Sequence, residues 1–118
     1  MQLKYKKSIQ KKVIVVELET INFTPQENKL LDELGEPVIS FEKVYPPNFA
    51  VQFEKKIRTG FKVKVKFDGT ENLQAAAEAA NLFFEEIQDR LAEEMYILAD
   101  KASDTDFKVG EGIVSINY

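Results

Sequence analysis

The stretch from Thr70 to Ala102 constrains the fold of this chain more than any other part of its sequence. Apolar residues recur in it at three- and four-residue steps and acidic residues fall on the opposite side, the pattern of an amphipathic helix. The apolar stripe comprises Leu73, Ala76, Ala77, Ala80, Phe84, Ile87, Leu91, Met95, Leu98 and Ala102. An unbroken helix of this span would be about 50 Å long, whereas a globule of this chain's length has a diameter of roughly 35 Å. We therefore expect the helix to bend or break between Asp89 and Glu94, or to project at one end and meet a partner.

Two residue types are absent from the chain, cysteine and histidine. Their absence rules out disulfides, a thiolate nucleophile, cysteine-ligated zinc and any Ser-His-Asp or Cys-His catalytic arrangement. Acidic residues at helical spacing, which could hold a hard cation, are Glu85, Glu86, Asp89, Glu93 and Glu94. Arg90 lies among them, so a solvated helix face is the simpler interpretation. We predict a non-enzymatic protein with no cofactor and no metal site.

The length and hydropathy of the chain bound its class. With 118 residues, 44% of them hydrophobic and 31% charged, it has the size and composition of one globular domain spanning residues 1–118. No apolar run approaches the roughly 18 residues that span a bilayer. The basic segment from Met1 to Lys12 is not followed by a signal-type cleavage site. The expectation is a cytoplasmic protein without a membrane partner.

The first third of the chain predicts a strand followed by a short helix. Val13 to Leu18 is nearly continuously apolar and rich in β-branched residues, which is typical of a strand in the middle of a sheet. A short edge strand or an arm precedes it, with a break near Ser8 and Gln10. The segment Thr24 to Glu27 then combines a threonine N-cap, a proline at the first helical position and a glutamate three residues after the cap. A helix of about three turns starts there and ends at Gly35.

Three further strands are predicted between residues 38 and 67. The first is Val38 to Tyr45, which two prolines end. The second and third form a β-hairpin over residues 49–67 with a glycine-containing connection. Apolar and basic residues alternate without exception in residues 61–67. This alternation directs Phe61, Val63, Val65 and Phe67 inward and a row of lysines outward.

After the long helix the chain returns as Phe107 to Val109, bends at Gly110 and Gly112, and alternates up to Tyr118. The predicted element order is β-α-β-β-β-α-β. It indicates an α+β fold, a curved and mainly antiparallel sheet or a partly open β-barrel with one short and one long helix. The predicted inner layer contains Val15, Leu18, Leu30, Leu34, Phe41, Val51, Phe53, Val63, Val65, Leu73, Ala80, Phe84, Ile87 and Ile116.

Basic residues concentrate on the predicted strands although the chain has a net charge of −4. A site for single-stranded nucleic acid needs a positive groove for phosphates and aromatic faces for bases. The candidate binding residues are Lys55, Arg58, Lys62, Lys64, Lys66, Lys4 and Lys6, near the aromatic residues Tyr5, Tyr45, Phe49 and Phe61. The alternative is structural, because lysines on an edge strand prevent sheet-to-sheet aggregation and also pair with an acidic helix.

Aromatic residues on the long helix are candidates for an oligomer interface. Phe83 and Phe84 are adjacent and cannot both face the same side, while Tyr96 falls on the polar side with Asp89 and Glu93. An aromatic residue on the outer face of an overlong helix marks a dimer contact. We take Phe83 and Tyr96 as the candidate contacts; the alternative is a helix buried over a wide arc.

The order β-α-β-β-β-α-β in a small chain with a curled sheet resembles the PUA-like RNA-binding barrels. The short, cysteine-free chain rich in lysine and glutamate also resembles the small regulators of the PrgU type that Gram-positive conjugative plasmids carry. The resemblance covers the whole chain in element order and no individual residue, so it transfers no functional position. It implies a non-enzymatic protein that binds RNA and adjusts the expression of neighbouring genes.

Two functions follow from these observations and stay open. In the first, the protein is a small regulatory binding protein that contacts single-stranded RNA or DNA through the basic face of the hairpin. In the second, it is a phage- or plasmid-encoded protein-interaction or assembly component that forms a homodimer, or binds another protein, through its long helix. We favour the first because it makes the sharper claim.

Overall fold

The protein has an α+β fold with a mainly antiparallel four-stranded sheet, in which only the β1–β6 pair is parallel among the described strands, a two-stranded antiparallel sheet, one short helix and one long helix. The computed structural model describes residues 1–34, 37–58, 60–102 and 114–117. The elements are β1 (Gln2–Gln10), β2 (Val13–Ile21), α1 (Pro25–Leu34), β3 (Val38–Tyr45), β4 (Phe49–Lys56), β5 (Lys62–Asp68), α2 (Leu73–Ala102) and β6 (Val114–Asn117). Sheet A has the order β5-β2-β1-β6 and sheet B pairs β3 with β4. The predicted fold class is confirmed, and the described strands form two sheets that do not close into a barrel.

β1, which the sequence predicted as a short edge strand or an arm, is a nine-residue strand inside sheet A. β1 pairs antiparallel with β2 from Gln2 opposite Ile21 to Gln10 opposite Val13. The two strands join through Lys11 and Lys12, whose φ angles are 51° and 64°. Positive φ at both central residues is the geometry of a type I′ hairpin turn, for which Asn-Gly is the usual sequence. The predicted break near Ser8 and Gln10 was wrong because two lysines carry no turn signal.

Helix α1 begins with the predicted capping box. The Thr24 amide donates to Glu27 Oε1 at 2.9 Å, and the Glu27 amide donates to Thr24 Oγ1 at 3.1 Å. The amine of Met1 also binds the Glu27 carboxylate, and both groups are buried. Leu30 and Leu31 of α1 are buried. The predicted stop at Gly35 and the side chain of Leu34 lie outside the part of the chain that the structure describes.

The predicted β-hairpin over residues 49–67 is wrong, because β4 pairs with β3 and β5 pairs with β2. Thr20 extends the β2–β5 ladder: its amide donates to the Phe61 carbonyl at 3.0 Å and its Oγ1 accepts from the Phe61 amide at 2.8 Å. On the other side of the turn, the Ile57 amide donates to the Pro37 carbonyl at 3.0 Å. The chain therefore changes sheet within residues 57–61. Alternation showed which way these side chains point, but it carries no information about the neighbouring strand.

Helix α2 runs without a break through the region between Asp89 and Glu94. Its 30 residues correspond to about 45 Å, close to the 49 Å long dimension of the molecule. The N-cap is Asn72, whose Oδ1 accepts from the Ala75 amide at 3.0 Å. Leu73, predicted to face inward, is 38% exposed. The helix thus spans the molecule, and its length explains the elongated shape.

One hydrophobic core joins both sheets to α2. Phe83 is fully buried, and its ring lies 6.3, 6.0 and 5.9 Å from those of Phe41, Phe53 and Phe67. The other predicted inner residues with described side chains are buried or half-buried: Leu18, Leu30, Phe41, Val51, Phe53, Val63, Val65, Ala80, Phe84 and Ile87. The prediction for Val15 was wrong in direction, because Val15 is buried on the outward side of β2, opposite Ser8 and Lys66. The side chain of Ile116 and the predicted elements at Phe107 to Val109, Gly110, Gly112 and Tyr118 lie outside the described part.

Candidate nucleic-acid interface

The outward side of sheet A carries the predicted basic strands. Successive side chains of a strand point to opposite faces, so one set packs on α2 and the other faces away from it. On β5 the lysines are exposed, while the residues between them contact the core. We call this outward surface the lysine face, made by Lys4 and Lys6 of β1, Glu17 and Glu19 of β2, and Lys62, Lys64 and Lys66 of β5.

The strand register places each glutamate of the lysine face between two lysines. Glu19 lies opposite Lys4 on one side and Lys62 on the other. Glu17 likewise lies opposite Lys6 and Lys64. Neighbouring strands are about 4.8 Å apart, so the two lysine columns are about 9.6 Å apart. Within a column, alternate residues are about 6.8 Å apart.

The ion pair between Lys64 and Glu17 is weak, because both groups are in contact with water. The distance between Lys64 Nζ and Glu17 Oε1 is 3.9 Å, and the two side chains are 54% and 39% exposed. Exposed pairs of this kind contribute about 0.2 to 1 kcal/mol. The next cross-strand row, formed by Lys66, Val15 and Ser8, contains no acidic residue, because Lys66 lies opposite Val15 and Val15 lies opposite Ser8. The ammonium groups of Lys64 and Lys66 are thus exposed to solvent, where a phosphate can contact them.

The lysine face keeps a positive balance, with five lysines against Glu17, Glu19 and Asp68 at the end of β5. Asp68 Oδ1 accepts from the hydroxyl and the amide of Thr70. These two hydrogen bonds hold the pKa of Asp68 below its ordinary value, so its charge is present at neutral pH. Between the lysine columns lies a shallow depression of about 230 Å³, lined by Lys4, Lys6, Glu17, Leu18, Glu19 and Lys62.

The predicted aromatic residues do not reach the lysine face. Tyr5 and Phe61 are buried, and Tyr5 stacks on Phe84 with 4.2 Å between ring centroids. Tyr45 is buried as well, and Phe49 is half-buried against Phe67. No aromatic side chain of the described chain points outward from β1, β2 or β5. This surface has charges for phosphates and lacks faces on which bases could stack.

Lys55 and Arg58, two other predicted residues, lie apart from the lysine face. Lys55 belongs to β4 of sheet B and lines a groove of about 630 Å³ together with Phe61 and Lys62. Arg58 lies in the turn that follows, and its Nε is 3.1 Å from Asp32 Oδ1 of α1. Both residues were grouped with the lysine row on the basis of the hairpin over residues 49–67. Because that hairpin does not form, the structure separates them from the row.

Sequence patterns missed a charged cluster where α2 meets sheet B. Lys43 of β3 and Arg90 of α2 both bind Glu86, with 3.5 Å between Arg90 Nη2 and Glu86 Oε1. The hydrogen bond from Lys43 contributes most to lowering the pKa of Glu86 below its ordinary value. The Arg90 guanidinium also lies over the Phe41 ring, 4.7 Å from its centroid. Only the spacing of Glu86 and Arg90 signals this cluster, since Lys43 comes from a distant strand.

The outward side of α2 is acidic and carries scattered apolar residues. Tyr96 is 64% exposed, so its role in an interface stays a prediction, whereas the prediction for Phe83 was wrong because Phe83 fills the core. The exposed acids are Glu78, Glu85, Asp89 and Glu93. In the part of the chain that the structure describes, no three carboxylates come together as metal ligands. These residues form a charged helix surface.

Comparison with protein-family models, with curated proteins and with solved structures gave no match for this chain. Among the described helices, none combines the length and the apolar character needed to cross a membrane.

Proposed function

We propose that this protein is a non-enzymatic, small regulatory binding protein whose lysine face binds the phosphates of single-stranded RNA. One observation carries the proposal: two columns of lysines run in parallel on one exposed face, about 9.6 Å apart, on either side of a single column of glutamates. A phosphate that lies between the columns meets lysines from both sides. The resemblance to PUA-like regulators supports the same function by analogy of element order.

The charge layout also indicates how RNA is selected. A flat face without aromatic residues offers no stacking, so we expect contact with the backbone and little preference for base sequence. A flexible single strand follows the face more closely than a stiff duplex does. Because phosphate contacts release counterions, affinity falls steeply as salt rises, and the slope counts the phosphates that are neutralised.

The test is binding of the purified protein to a mixed-sequence single-stranded RNA across a salt series, beside duplex DNA. The first variant combines Lys64→Glu with Lys66→Glu on the lysine face, and the matched control combines Lys29→Glu with Lys7→Glu, whose side chain lies on the α2 side of the sheet near Asn81. Both variants change the net charge equally. The proposal predicts that the first loses at least tenfold in affinity and the control less than threefold. Equal losses, or no binding of the unaltered protein at low salt, would refute it.

The second function, homodimerisation through α2, is favoured by the exposed apolar residues Leu82, Tyr96 and Ile97, which are 44%, 64% and 38% exposed. A symmetric contact between two copies of α2 would also bring their acids together, because Glu85, Asp89 and Glu93 share this side. Like charges at such a contact repel each other. A dimer of this kind should therefore strengthen with salt, whereas RNA binding should weaken. Sedimentation at low and high salt distinguishes the two functions.

A further inference from the structure

We propose that β4 and β5 bind an extended acidic segment of a partner protein, which adds a strand along the free edge of β5. β4 and β5 lie next to each other, but no ladder of hydrogen bonds joins them in the described chain. We call this boundary between the two strands the seam. It consists of residues 49–56 and 62–68. This binding site differs from the lysine face in using the backbone edge of β5 and the inner side of the strand, although the two sites share the lysines of β5.

The seam begins where the chain changes sheet. β4 and β5 follow one another closely in the chain, yet among the described strands β4 pairs only with β3 and β5 only with β2. In the described residues, no backbone hydrogen bond joins β5 to a strand other than β2. Half of the amide and carbonyl groups of an edge strand point away from its only partner. Such an edge is a template on which a further strand can pair.

Aromatic contacts hold the two strands near each other beneath the seam. The Phe53 and Phe61 rings are 5.7 Å apart, and those of Phe49 and Phe67 are 6.0 Å apart. These contacts join the inner faces of the strands, while no ladder joins the backbones of β4 and β5 in the described residues. The seam therefore lies over aromatic residues of the folded core.

Apolar side chains are accessible along the seam. Val63 and Val65 point inward from β5 and Val51 from β4, yet all three are only half-buried. By contrast, Val16 and Leu18 on the inner side of β2 are fully buried. A strand added at the β5 edge would cover the valines with alternate side chains, which gives an apolar contribution besides the backbone hydrogen bonds.

The charges of β5 determine the chemistry of the added strand. Lys62, Lys64 and Lys66 project from every second position, so outward residues of the added strand lie beside lysines. Opposite charges at such cross-strand positions stabilise pairing and like charges oppose it. A second copy of β5 is excluded as the occupant, because lysines would face lysines. The occupant is therefore a segment in which acidic and β-branched residues alternate.

The test uses a capped synthetic peptide of alternating glutamate and valine with seven residues, the length of β5. Its binding to the whole protein is measured by calorimetry, and amide hydrogen exchange locates it. Two control peptides test the pairing. The first carries N-methyl groups on its glutamates, whose amides face the amide and carbonyl groups of Lys62, Lys64 and Lys66 in an antiparallel pairing, and the second carries lysine in place of glutamate. We expect binding that protects amides of β5 and a loss of at least tenfold in affinity with either control peptide.

Two variants separate this site from the lysine face. Val51→Glu alters only the seam and should weaken the glutamate–valine peptide at least tenfold, with RNA binding unchanged. Combining Lys4→Glu with Lys6→Glu alters the far strand of the lysine face and should weaken RNA, with peptide binding unchanged. The proposal is overturned if the peptide does not bind at millimolar concentration, or if N-methylation or Val51→Glu has no effect. In either case RNA binding still reports on the proposed function separately.

Discussion

Lys64 and Glu17 face each other across the β2–β5 ladder, with 3.9 Å between Nζ and Oε1. The pair is exposed, so it contributes little to stability, but it sets the charge that an arriving phosphate meets. Glu17 and Glu19 reduce the attraction of the lysine columns for an anion, and they repel the anion directly. Replacing the glutamates by neutral residues therefore tests whether the lysines bind RNA or only pair with charges of the sheet.

The first prediction concerns these two glutamates. Combining Glu17→Gln with Glu19→Gln should increase affinity for single-stranded RNA about fivefold, from roughly 0.5 kcal/mol for each exposed charge. The slope of log affinity against log salt should also become steeper, because more phosphates are neutralised. Filter binding over a salt series measures both. As a control, Glu33→Gln with Glu78→Gln removes the same charge away from the face. A fivefold gain in this control as well would mean that net charge alone controls binding.

The second prediction contrasts the two aromatic residues of α2. Phe83→Ala should lower the free energy of unfolding by about 3 to 5 kcal/mol, because it leaves a cavity between both sheets and the helix. Tyr96→Ala should change it by less than about 0.5 kcal/mol, since its side chain is exposed. Urea denaturation followed by circular dichroism gives both values. Similar losses for the two variants would contradict the placement of Phe83 in the core.

The third prediction is a pH dependence that arises from Glu86. Its pKa in the folded state lies below the ordinary value of 4.5, chiefly because Lys43 binds it. The stabilisation is therefore present above pH 4.5 and is lost as the pH falls through the folded value. Glu86→Gln should remove about 1 to 2 kcal/mol at pH 7 and flatten the pH profile of unfolding below pH 4.5. Glu85→Gln, at an exposed neighbouring position, should leave the profile as it is. A flattening by both variants would mean that the effect does not arise from the contact between Glu86 and Lys43.

The fourth prediction concerns the β1–β2 turn. Lys12→Gly should stabilise the protein by about 1 kcal/mol, because lysine is strained at a φ of 64° and glycine is not. Gly69 must stay unchanged in this experiment, since a Cβ at this position would lie 2.8 Å from the Lys12 carbonyl oxygen. Thermal denaturation detects the change. Lys66→Gly serves as the control and should destabilise, since glycine weakens a strand interior; stabilisation by both variants would exclude turn strain as the cause.

The fifth prediction tests the buried contact at the start of α1. Glu27→Ala should cost about 3 kcal/mol, because it removes the cap partner of Thr24 and leaves the buried amine of Met1 without its carboxylate. Glu33 on the same helix is exposed, so Glu33→Ala should lower the free energy of unfolding by less than about 0.5 kcal/mol. Chemical denaturation measures both variants. A small loss for Glu27→Ala would show that the Met1 amine is satisfied by other groups.

Local signals predicted the directions of side chains well, and long-range pairing poorly. The alternation of residues 61–67 and the capping box from Thr24 to Glu27 are encoded within a few residues, and the structure confirms both. The partner of β5 depends on Thr20, which is far away in the chain, and no pattern within 49–67 carries that information. The turn at Lys11 and Lys12 was missed for a different reason, because neighbouring strands impose a backbone that lysine does not favour.

The candidate site shows the same division. The outward row of Lys62, Lys64 and Lys66 was predicted, because period two is visible in the sequence. The glutamates that separate this row from Lys4 and Lys6 were not, because their position requires the register of three strands. Periodicity also could not assign Phe83 to the core, because adjacent helix positions differ by only about 100°.

The change of sheet at residues 57–61 also has a consequence for how the chain folds. β1–β2 and β3–β4 are local hairpins, and each forms from neighbouring residues at little loss of chain entropy. The bond between the Phe61 amide and Thr20 Oγ1 closes a separation of 41 residues. We therefore expect closure of this contact to limit the folding rate. Thr20→Val should then slow refolding more than it speeds unfolding, whereas Val44→Ala on the exposed side of sheet B should affect neither.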